Sequence, residues 1–552
     1  ASTATPALVV EPASVAAPAN GALVVFGSTN WDAGAKPTET DESPNLYGPH
    51  RLVAGLNGVK IGFIASGSTS AHCVALGVDG AAYAWGKNNL GQLGVGDTAT
   101  RPGPVPVAYL KGVGGGVVGA ATGKAHTLWL ARDGGVWASG AAKQGCVGGN
   151  AKRGAEYEAK PLRVTGLPTA AVRRRHRRRH PRRRHRRRRR HHHHHYHHHS
   201  LTHHLSPPQA VCCGTNFNLV RDADGGLWSF GWSEFGVLGN GTDGEHNLAD
   251  GSVKLSYQAV STPARIASLR DKKIVDAACG TAHCVAAASD GTVYTWGNGG
   301  YGRLGHRDQA NLHTPKALPE LKASRVSAGS AYTAALGWAV RRGRSRTHTM
   351  RRRRTQRPAH STDASPPPLL RCSTAARWRA RATRSCGCGA SARAASRTRG
   401  CTRSRSRTSR GGRSAPPAPS PLALDVPCVH TPEPTRPPPP PPPQVHAFAC
   451  GQNHSVLSAD DSVIAWGHGT ASGELGFGAG AKKSAARAEK VETLEKLRVA
   501  QVACGYAHTV LLADGDSDVV KRLPAWTPAP AKEAEAGPSG EKGGPPKKKA
   551  KK

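Results

Sequence analysis

The feature that most constrains this fold is an internal repeat that recurs along the whole chain. The fullest copies occupy residues 67–94 and 280–305. Each copy holds two short runs of β-forming residues joined by Asp-Gly, a dipeptide that favours the positive-φ positions of a tight hairpin turn. A second turn of the form Gly-x-Leu-Gly follows the outgoing strand. One such unit cannot bury its apolar face alone, so the copies must stack or close into a ring.

The number of half-repeats predicts how the ring closes. The incoming strand follows a Gly-x-x-His pattern or a variant of it, at Gly67, Gly123, Gly214, Gly280, Gly329, Gly451 and Gly505. No outgoing strand follows the last copy, and no incoming strand precedes residues 23–27. Joining these termini completes a blade and leaves no long sheet edge exposed. The sequence therefore predicts an all-β, seven-bladed β-propeller over residues 21–528, closed by its N- and C-terminal strands, with one incomplete blade because residues 329–336 lack an outgoing partner.

The net charge of +40 is concentrated outside this repeat region. Residues 172–209 carry +14, residues 340–444 carry +20 and residues 530–552 carry +4, which leaves about +2 for the rest. The folded part is thus almost neutral, and the basic character belongs to low-complexity segments. Solvated disordered charge explains such segments better than specific nucleic-acid binding, which stays the alternative.

Two segments interrupt the repeat, residues 172–209 and 340–444. Both open with Val-Arg and close with a proline run before Gln, edges that resemble translated splice sites. Their apolar content is too low to offset the entropy of ordering, so we predict two disordered basic insertions. We interpret the first as translated intron and the second as intron or a shifted reading frame; a genuine arginine-serine-rich insertion is the alternative. Residues 1–20 and the Lys-rich tail 529–552 are predicted to be flexible as well.

The recurring polar residues of the repeat favour structural roles over chemistry. A catalytic histidine would not recur at one repeat position, so we interpret these side chains as buried and hydrogen-bonded to a neighbouring strand. They are His72, His126, His283, His454 and His508. The blade tryptophans are interpreted as core: Trp85, Trp137, Trp228, Trp296 and Trp466. No catalytic site, cofactor motif or metal-ligand spacing is present, and we expect no cofactor and no metal.

Cysteine usage and hydropathy bear on the compartment. One repeat position holds Cys213, Cys279, Cys450 and Cys504, which predicts a small buried residue and not a disulfide or metal ligand. The chain shows no signal peptide and no apolar run long enough to span a membrane. We therefore expect a reducing intracellular compartment and no membrane partner. Clustered lysines at the C-terminus are candidates for nuclear targeting or weak phosphate contact: Lys547, Lys548, Lys549, Lys551 and Lys552.

The repeats resemble those of the regulator of chromosome condensation family, and the flanking residues resemble its second paralogous branch. The most specific of these flanking residues are Asn30, Trp31 and Asp32, followed by Gly48, Pro49, His50 and Arg51. The match extends over about 21–528, outside the two basic segments. It departs from the family pattern at residues 143–148, where Lys-Gln-Gly-Cys-Val-Gly replaces the usual turn.

The resemblance implies a nuclear binding module, expected to be a monomer, that regulates a small GTPase and chromosome condensation or mitotic spindle and centromere behaviour. It implies association with chromosomes or the spindle in mitosis and a cytoplasmic location otherwise, with chromatin and microtubules as further candidate partners. A strict guanine-nucleotide exchange factor is the first alternative, and it requires acidic and His loop residues on one propeller rim. A chromatin-binding propeller that uses its basic tail is the second. None of these functions needs covalent catalysis.

Overall fold

A computed structural model describes residues 18, 20–31, 45–56, 58–152, 154–168, 207–247, 255–337, 370–372, 444–468 and 470–528. The first strands are β1 Gly21–Gly27, β2 Leu46–Leu52, β3 Ile61–Ala65, β4 His72–Gly77, β5 Ala82–Gly86, β6 Arg101–Pro106, β7 Val117–Thr122, β8 His126–Ala131, β9 Val136–Ala141 and β10 Tyr157–Arg163. The middle strands are β11 Pro208–Cys213, β12 Phe217–Asp222, β13 Leu227–Trp232, β14 Glu245–Asn247, β15 Leu255–Tyr257, β16 Ala259–Arg265, β17 Ile274–Cys279, β18 His283–Ala288, β19 Thr292–Gly297, β20 Leu312–Ala328, β21 Thr333–Gly337 and β22 Leu370–Cys372.

The C-terminal strands are β23 Val445–Cys450, β24 His454–Ala459, β25 Ser462–Gly467, β26 Ala485–Lys490, β27 Val499–Cys504, β28 His508–Asp514 and β29 Ala525–Trp526. One short α-helix, α1 Asp518–Arg522, follows β28, and Ser517 caps it by accepting a hydrogen bond from the Val519 amide. Short 3-10 helices cover Ala108–Leu110, Val113–Gly115, Glu234–Gly236, Ala267–Leu269, Gly300–Gly302 and Glu492–Leu494. The described chain is therefore almost entirely β-structure.

Most strands assemble into antiparallel blades of four. Blade 1 is β3 to β6, blade 2 is β7 to β10, blade 3 is β11, β12, β13 and β16, and blade 6 is β23 to β26. Blade 4 consists of β17, β18, β19 and the first part of β20. Blade 7 joins β27 and β28 to β1 and β2. Within each blade the strands follow chain order from the inner edge to the outer edge, apart from this junction of the two termini.

The inner strands form a closed cycle. Contacts connect β3 to β7, β7 to β11, β11 to β17, β17 to β20, β20 to β23, β23 to β27, and β27 back to β3. Among the described residues, the cycle has seven positions, of which six carry a four-stranded blade. The predicted all-β propeller is confirmed, and so is its division into complete blades and one incomplete blade.

The N-terminal strand closes the ring as predicted. β1 pairs antiparallel with β28 from Gly21 opposite Asp514 to Gly27 opposite His508. On its other side β1 pairs with β2. The side chains of residues 23–26 are buried, with Phe26 only 1% exposed. The two ends of the chain thus share one sheet.

Blade 5 is the incomplete blade, but its incoming strand has partners. The long strand β20 leaves blade 4 and continues into the inner position of blade 5, where it pairs with β21. β21 also pairs with β22, with Ala334 opposite Cys372 and Leu336 opposite Leu370. The expectation that residues 329–336 lack an outgoing partner is therefore wrong, because β22 takes that position. The low apolar content of the segment concealed this strand.

The predicted end of the first basic insertion is also wrong by a few residues. Pro208 and Gln209 belong to β11, and Pro208 is buried opposite Asp222. A proline is tolerated there because it stands first in the strand. Residues 171–206, like most of 340–443, lie outside the described residues, as do 1–17 and 529–552.

Side chains between adjacent blades form the core. One cluster joins Val456 and Val463 of blade 6 to Leu511 of blade 7. Another joins Leu219 of blade 3 to Trp296 of blade 4. Of the tryptophans predicted as core, Trp85, Trp228 and Trp296 are buried. Trp137 and Trp466 are only half-buried.

Steric constraints explain why glycine occupies the first position of the Gly-x-x-His pattern. The imidazole folds back across the turn and covers the glycine Cα. A Cβ at Gly280 would lie 2.3 Å from Cε1 of His283, and one at Gly505 would lie 2.1 Å from Cε1 of His508. Real Cβ atoms do not approach other atoms so closely, so this position accepts only glycine without a rearrangement.

Candidate functional site

The strand order gives the propeller two unlike faces. Each inner strand ends at a Gly-x-x-His turn or a variant of it, and the loops between third and fourth strands lie at that same end of the blade. We call this end the loop face. The opposite end, the turn face, carries the Asp-Gly turns and the connections from each outer strand to the next blade. Among the described residues, the loop face carries the longer loops, and loops held by a rigid scaffold are where binding residues are disproportionately found.

The recurring histidines lie beneath the loop face and connect neighbouring blades. Nε2 of His72 is 2.8 Å from Oγ1 of Thr127. The Thr127 hydroxyl in turn donates to the Gln92 carbonyl at 2.7 Å, so the imidazole must donate through Nε2. Equivalent interblade bonds join His126 to Asn218 (2.8 Å), His283 to Thr333 (3.0 Å), His454 to Thr509 (3.0 Å) and His508 to Ser66 (2.9 Å).

Burial keeps these imidazoles neutral. It lowers the pKa of His72, His283 and His508 to about 3. It lowers the pKa of His126 and His454 to about 4. Side chains that are neutral and committed to a partner at physiological pH do not serve as acid–base groups. The interpretation of these histidines as buried, hydrogen-bonded residues is confirmed.

Three of the four cysteines of the recurring position line the central channel formed by the inner strands. Cys213, Cys279 and Cys450 contribute to its wall, together with small residues of the other blades. All of them are free thiols, and burial raises the pKa of Cys213 and Cys279 well above the usual range. The prediction of small buried residues is confirmed, and thiols held in this protonated form are poor nucleophiles.

The loop face carries one projecting element, a hairpin formed by β14 and β15 in the loop between β13 and β16. Glu245 pairs with Tyr257, and Asn247 with Leu255. No other loop between third and fourth strands has strands of its own in the part of the chain that the structure describes. At its base the Ser233 hydroxyl lies 2.9 Å from the Gln258 carbonyl. We call residues 233–258 the blade 3 loop.

The blade 3 loop rests on blade 4. The amide of Gly241 donates to the His313 carbonyl at 3.0 Å. A Cβ at Gly236 would lie 2.6 Å from the Cα of His313, so glycine permits this close approach. The Trp232 and Tyr257 rings meet edge to face, with centroids 6.2 Å apart. The blade 3 loop is therefore attached to two blades.

Carboxylates dominate the electrostatics of this loop. Desolvation, followed by the charges of Glu245, Glu234 and Asp243, raises the pKa of the Tyr257 phenol. Nε2 of His313 lies 3.7 Å from a carboxylate oxygen of Asp243. These residues bring acidic and histidine side chains together at one rim, as the exchange-factor alternative requires. The repeat pattern does not predict this arrangement, because each strand of the hairpin has three residues and no counterpart in the other repeats.

The N-terminal residues singled out by the sequence are placed at the ring closure. Trp31 is 8% exposed and meets His508 edge to face at 5.2 Å. The Asn30 amide donates to Oγ of Ser28 at 3.2 Å. Asp32 lies outside the described residues.

The second group of these residues belongs to β2. Pro49 is buried, and Nδ1 of His50 donates to the Gly48 carbonyl at 2.7 Å. The amide of Arg51 donates to the Pro524 carbonyl at 2.8 Å. Both groups therefore support the junction of the two chain ends, and the structure does not bring them together with the blade 3 loop.

Other predicted features give no site in the described structure. Lys547, Lys548, Lys549, Lys551 and Lys552 lie outside the described residues. Among those described, no three His, Cys, Asp or Glu side chains are grouped as a metal site would need. None of the described helices is long and apolar enough to cross a membrane.

Comparisons with known proteins identify the repeat. The family model described as the regulator of chromosome condensation (RCC1) repeat matches residues 79–130, 224–287 and 290–336. A second model with the same description matches residues 274–303. These matches cover blade 4 in full and blades 1, 2, 3 and 5 in part.

Relatives match over most of the chain. Protein RCC2 of Homo sapiens is 27% identical over 544 residues, covering 92% of this chain and 80% of the relative. The RCC2 homolog of Xenopus laevis is also 27% identical, over 545 residues, covering 92% and 82%.

Solved structures share the fold. Human WBSCR16 has a TM-score of 0.53 at 16% identity, covering 90% of this chain and 99% of that one. Prp20p of Saccharomyces cerevisiae, whose structure was described with its binding properties to Gsp1p and histones, has a TM-score of 0.53 at 16% identity, covering 92% and 95%.

Proposed function

Because this chain belongs to the RCC1 repeat family and is related to the RCC2 proteins, we propose that it is a nuclear binding module that regulates a small GTPase and, through it, chromosome condensation or mitotic spindle behaviour. The binding properties of yeast Prp20p to Gsp1p and histones support a partner of this kind. The propeller is a rigid platform for that partner, and it acts on the partner through noncovalent contacts.

The observation that carries this proposal is the acidic blade 3 loop on the loop face. A small GTPase holds its nucleotide through a lysine, backbone amides and a Mg²⁺ ion around the phosphates. The carboxylates of Glu234, Asp243 and Glu245 are complementary to those groups and repel the phosphates. A loop that presents them can contact the phosphate-binding region of a partner. We therefore propose the loop face as the partner-binding rim. Carboxylates that contact the groups around the phosphates would weaken nucleotide binding, and this is how the loop would promote nucleotide exchange.

Nucleotide release from a panel of purified small GTPases tests the proposal and separates its two forms. Binding of a GTPase without faster GDP release supports a binding module, whereas faster release supports the exchange-factor alternative. We expect Glu245→Gln to weaken the effect about tenfold, since charge pairs across an interface are worth about 1.4 kcal/mol or more.

A matched control lies on the other face. Glu492 is exposed in the turn-face connection between β26 and β27, so Glu492→Gln should leave the interaction unchanged. If no GTPase of the panel binds, the proposed function is wrong. If both substitutions have the same effect, the loop face is not the binding rim.

Nuclear import through the C-terminal lysines is the part of the proposal that concerns location. Seven lysines and three glutamates occur within 530–552, and five of the lysines are clustered at 547–552. Such a cluster suits recognition by an import receptor or weak contact with phosphates. Removing residues 547–552 from a fluorescent fusion should shift the protein toward the cytoplasm. Unchanged nuclear signal would exclude these lysines as the targeting element.

A further inference from the structure

The most exposed large apolar side chain in the described part of the chain belongs to Tyr301. It is 78% exposed, in the loop between β19 and β20 on the loop face. Its φ of +58° lies in the left-handed region, which a bulky residue rarely adopts. A non-glycine residue held there is strained. The strained residue carries a ring that is exposed to solvent, although its neighbours in the sequence are glycines, which adopt this conformation without strain.

The surrounding loop holds this ring in place. The amide of Gly302 donates to the Gly299 carbonyl at 3.1 Å, and the amide of Gly300 donates to Oδ1 of Asn298 at 2.8 Å. Arg303 is 7% exposed and donates to the carbonyls of Gly300 and Ser330, at 2.8 and 3.1 Å. Its guanidinium carbon lies 5.7 Å from the centre of the Tyr301 ring. A buried arginine thus supports an exposed aromatic ring from below.

The neighbouring blade shows what the same backbone does when the ring serves the fold. Phe235 occupies the equivalent position in blade 3, with a φ of +61°. Its side chain is partly buried and packs against the core cluster between blades 3 and 4. The packing of the Phe235 ring inside the protein therefore offsets the strain of its backbone conformation. Tyr301 belongs to none of the core clusters formed by the described residues.

We propose that Tyr301 is the aromatic anchor by which the loop face holds its small GTPase partner. This inference rests on the proposed function and adds the residue that supplies binding energy beside the acidic hairpin. A rigid tyrosine brings a large contact area at a small entropic cost and is frequent among the residues that dominate interfaces. The partner surface it fits is an apolar pocket that accepts the aromatic ring. Blades 3 and 4 are adjacent, so one partner can contact both the hairpin and this ring.

Dissociation kinetics with a GTPase that the unmodified protein binds test the anchor. Tyr301→Ala should accelerate dissociation tenfold or more, whereas Tyr301→Phe should retain most of the affinity. Tyr109 is the matched control, because it is 47% exposed, lies in the connection between β6 and β7 outside the loop face, and also has a cation over its ring, Lys160 at 5.0 Å. Tyr109→Ala should leave dissociation unchanged.

A second substitution separates binding from folding. Tyr301→Gly removes the ring and relieves the left-handed strain, so its melting temperature should equal or exceed that of the unmodified protein while binding weakens as in Tyr301→Ala. Equal dissociation rates for the unmodified protein and Tyr301→Ala would overturn the anchor and leave the proposed function standing. Absence of binding to every GTPase by the unmodified protein would overturn both. A lowered melting temperature of Tyr301→Gly would show that the ring serves the fold, against the inference.

Discussion

At the scale of single residues, the hydrogen-bond partners of the interblade histidines determine which imidazole nitrogen carries the hydrogen. Thr127 and Thr509 each donate their hydroxyl hydrogen to a carbonyl, so His72 and His454 must donate through Nε2. Nδ1 of His454 is buried and has no hydrogen-bond partner in the described structure. Adding a proton there would bury a charged donor without an acceptor, which costs several kcal/mol.

This arrangement predicts strong acid sensitivity. The folded-state pKa values of about 3 to 4 lie below the value of about 6.5 expected for the unfolded chain, so the unfolded state takes up protons first as pH falls. The stabilisation is complete above about pH 6.5 and is lost progressively below it, by up to about 1.4 kcal/mol per pH unit for each histidine.

Urea unfolding at pH 7.5 and pH 5.5 measures this loss. We expect the unfolding free energy to fall by several kcal/mol. Asp276 and Glu474 act in the opposite sense, since burial raises the pKa of both carboxyls, that of Asp276 to about 6, but they are two groups against five. A free energy that stays constant over this range would contradict the account of the histidines.

The glycine beside each histidine gives a second test at this scale. Gly280→Ala would place a methyl group 2.3 Å from Cε1 of His283, so the ring must move and its bond to Thr333 must break. We expect a loss of about 2–3 kcal/mol from overpacking and the broken hydrogen bond. Gly119→Ala is the control, because its nearest contact would be 3.6 Å from the Leu130 side chain. Equal stability of the two variants, measured by thermal or urea unfolding, would refute the steric explanation.

At the scale of elements, the two chain ends are the part of the fold that the repeat pattern predicted most fully. Unmatched half-repeats at residues 23–27 and 505–513 could belong only to one blade, and β1 does pair with β28. The parallel addition of β29 to β2 could not be predicted, because two residues carry no strand pattern. The blade 3 hairpin was missed for a similar reason, since its strands are short and it has no second copy.

Truncation of the N-terminus tests the closure. Removing residues 1–27 takes four buried side chains, Leu23, Val24, Val25 and Phe26, out of blade 7. Their burial is worth on the order of 10 kcal/mol, comparable with the whole stability of a typical domain. We expect this variant to lose cooperative unfolding, as judged by calorimetry. Removal of residues 1–17 alone should leave the transition in place, and equal behaviour of the two truncations would show that β1 is dispensable.

At the scale of the whole molecule, the sequence predicted the ring but not which face acts. Repeated apolar positions are a local signal, and they set the blade count and the closure. The loop face is a product of strand direction, which brings residues as distant as Asp243 and His313 together at one end of the blades. Blade 5 shows the limit of the pattern, because the strand that pairs with β21 comes from a segment rich in arginine and proline.

The location of the binding rim is the central claim, and hydrogen–deuterium exchange of the protein alone and bound to its GTPase tests it most directly. Backbone amides buried by a partner exchange more slowly, and each segment reports separately. The account predicts protection of the blade 3 loop at 233–247 and of the Tyr301 loop at 298–311, with no change in the turn-face segments 289–292 and 492–498. Protection confined to the turn-face segments, or none in the two loops of a formed complex, would contradict it.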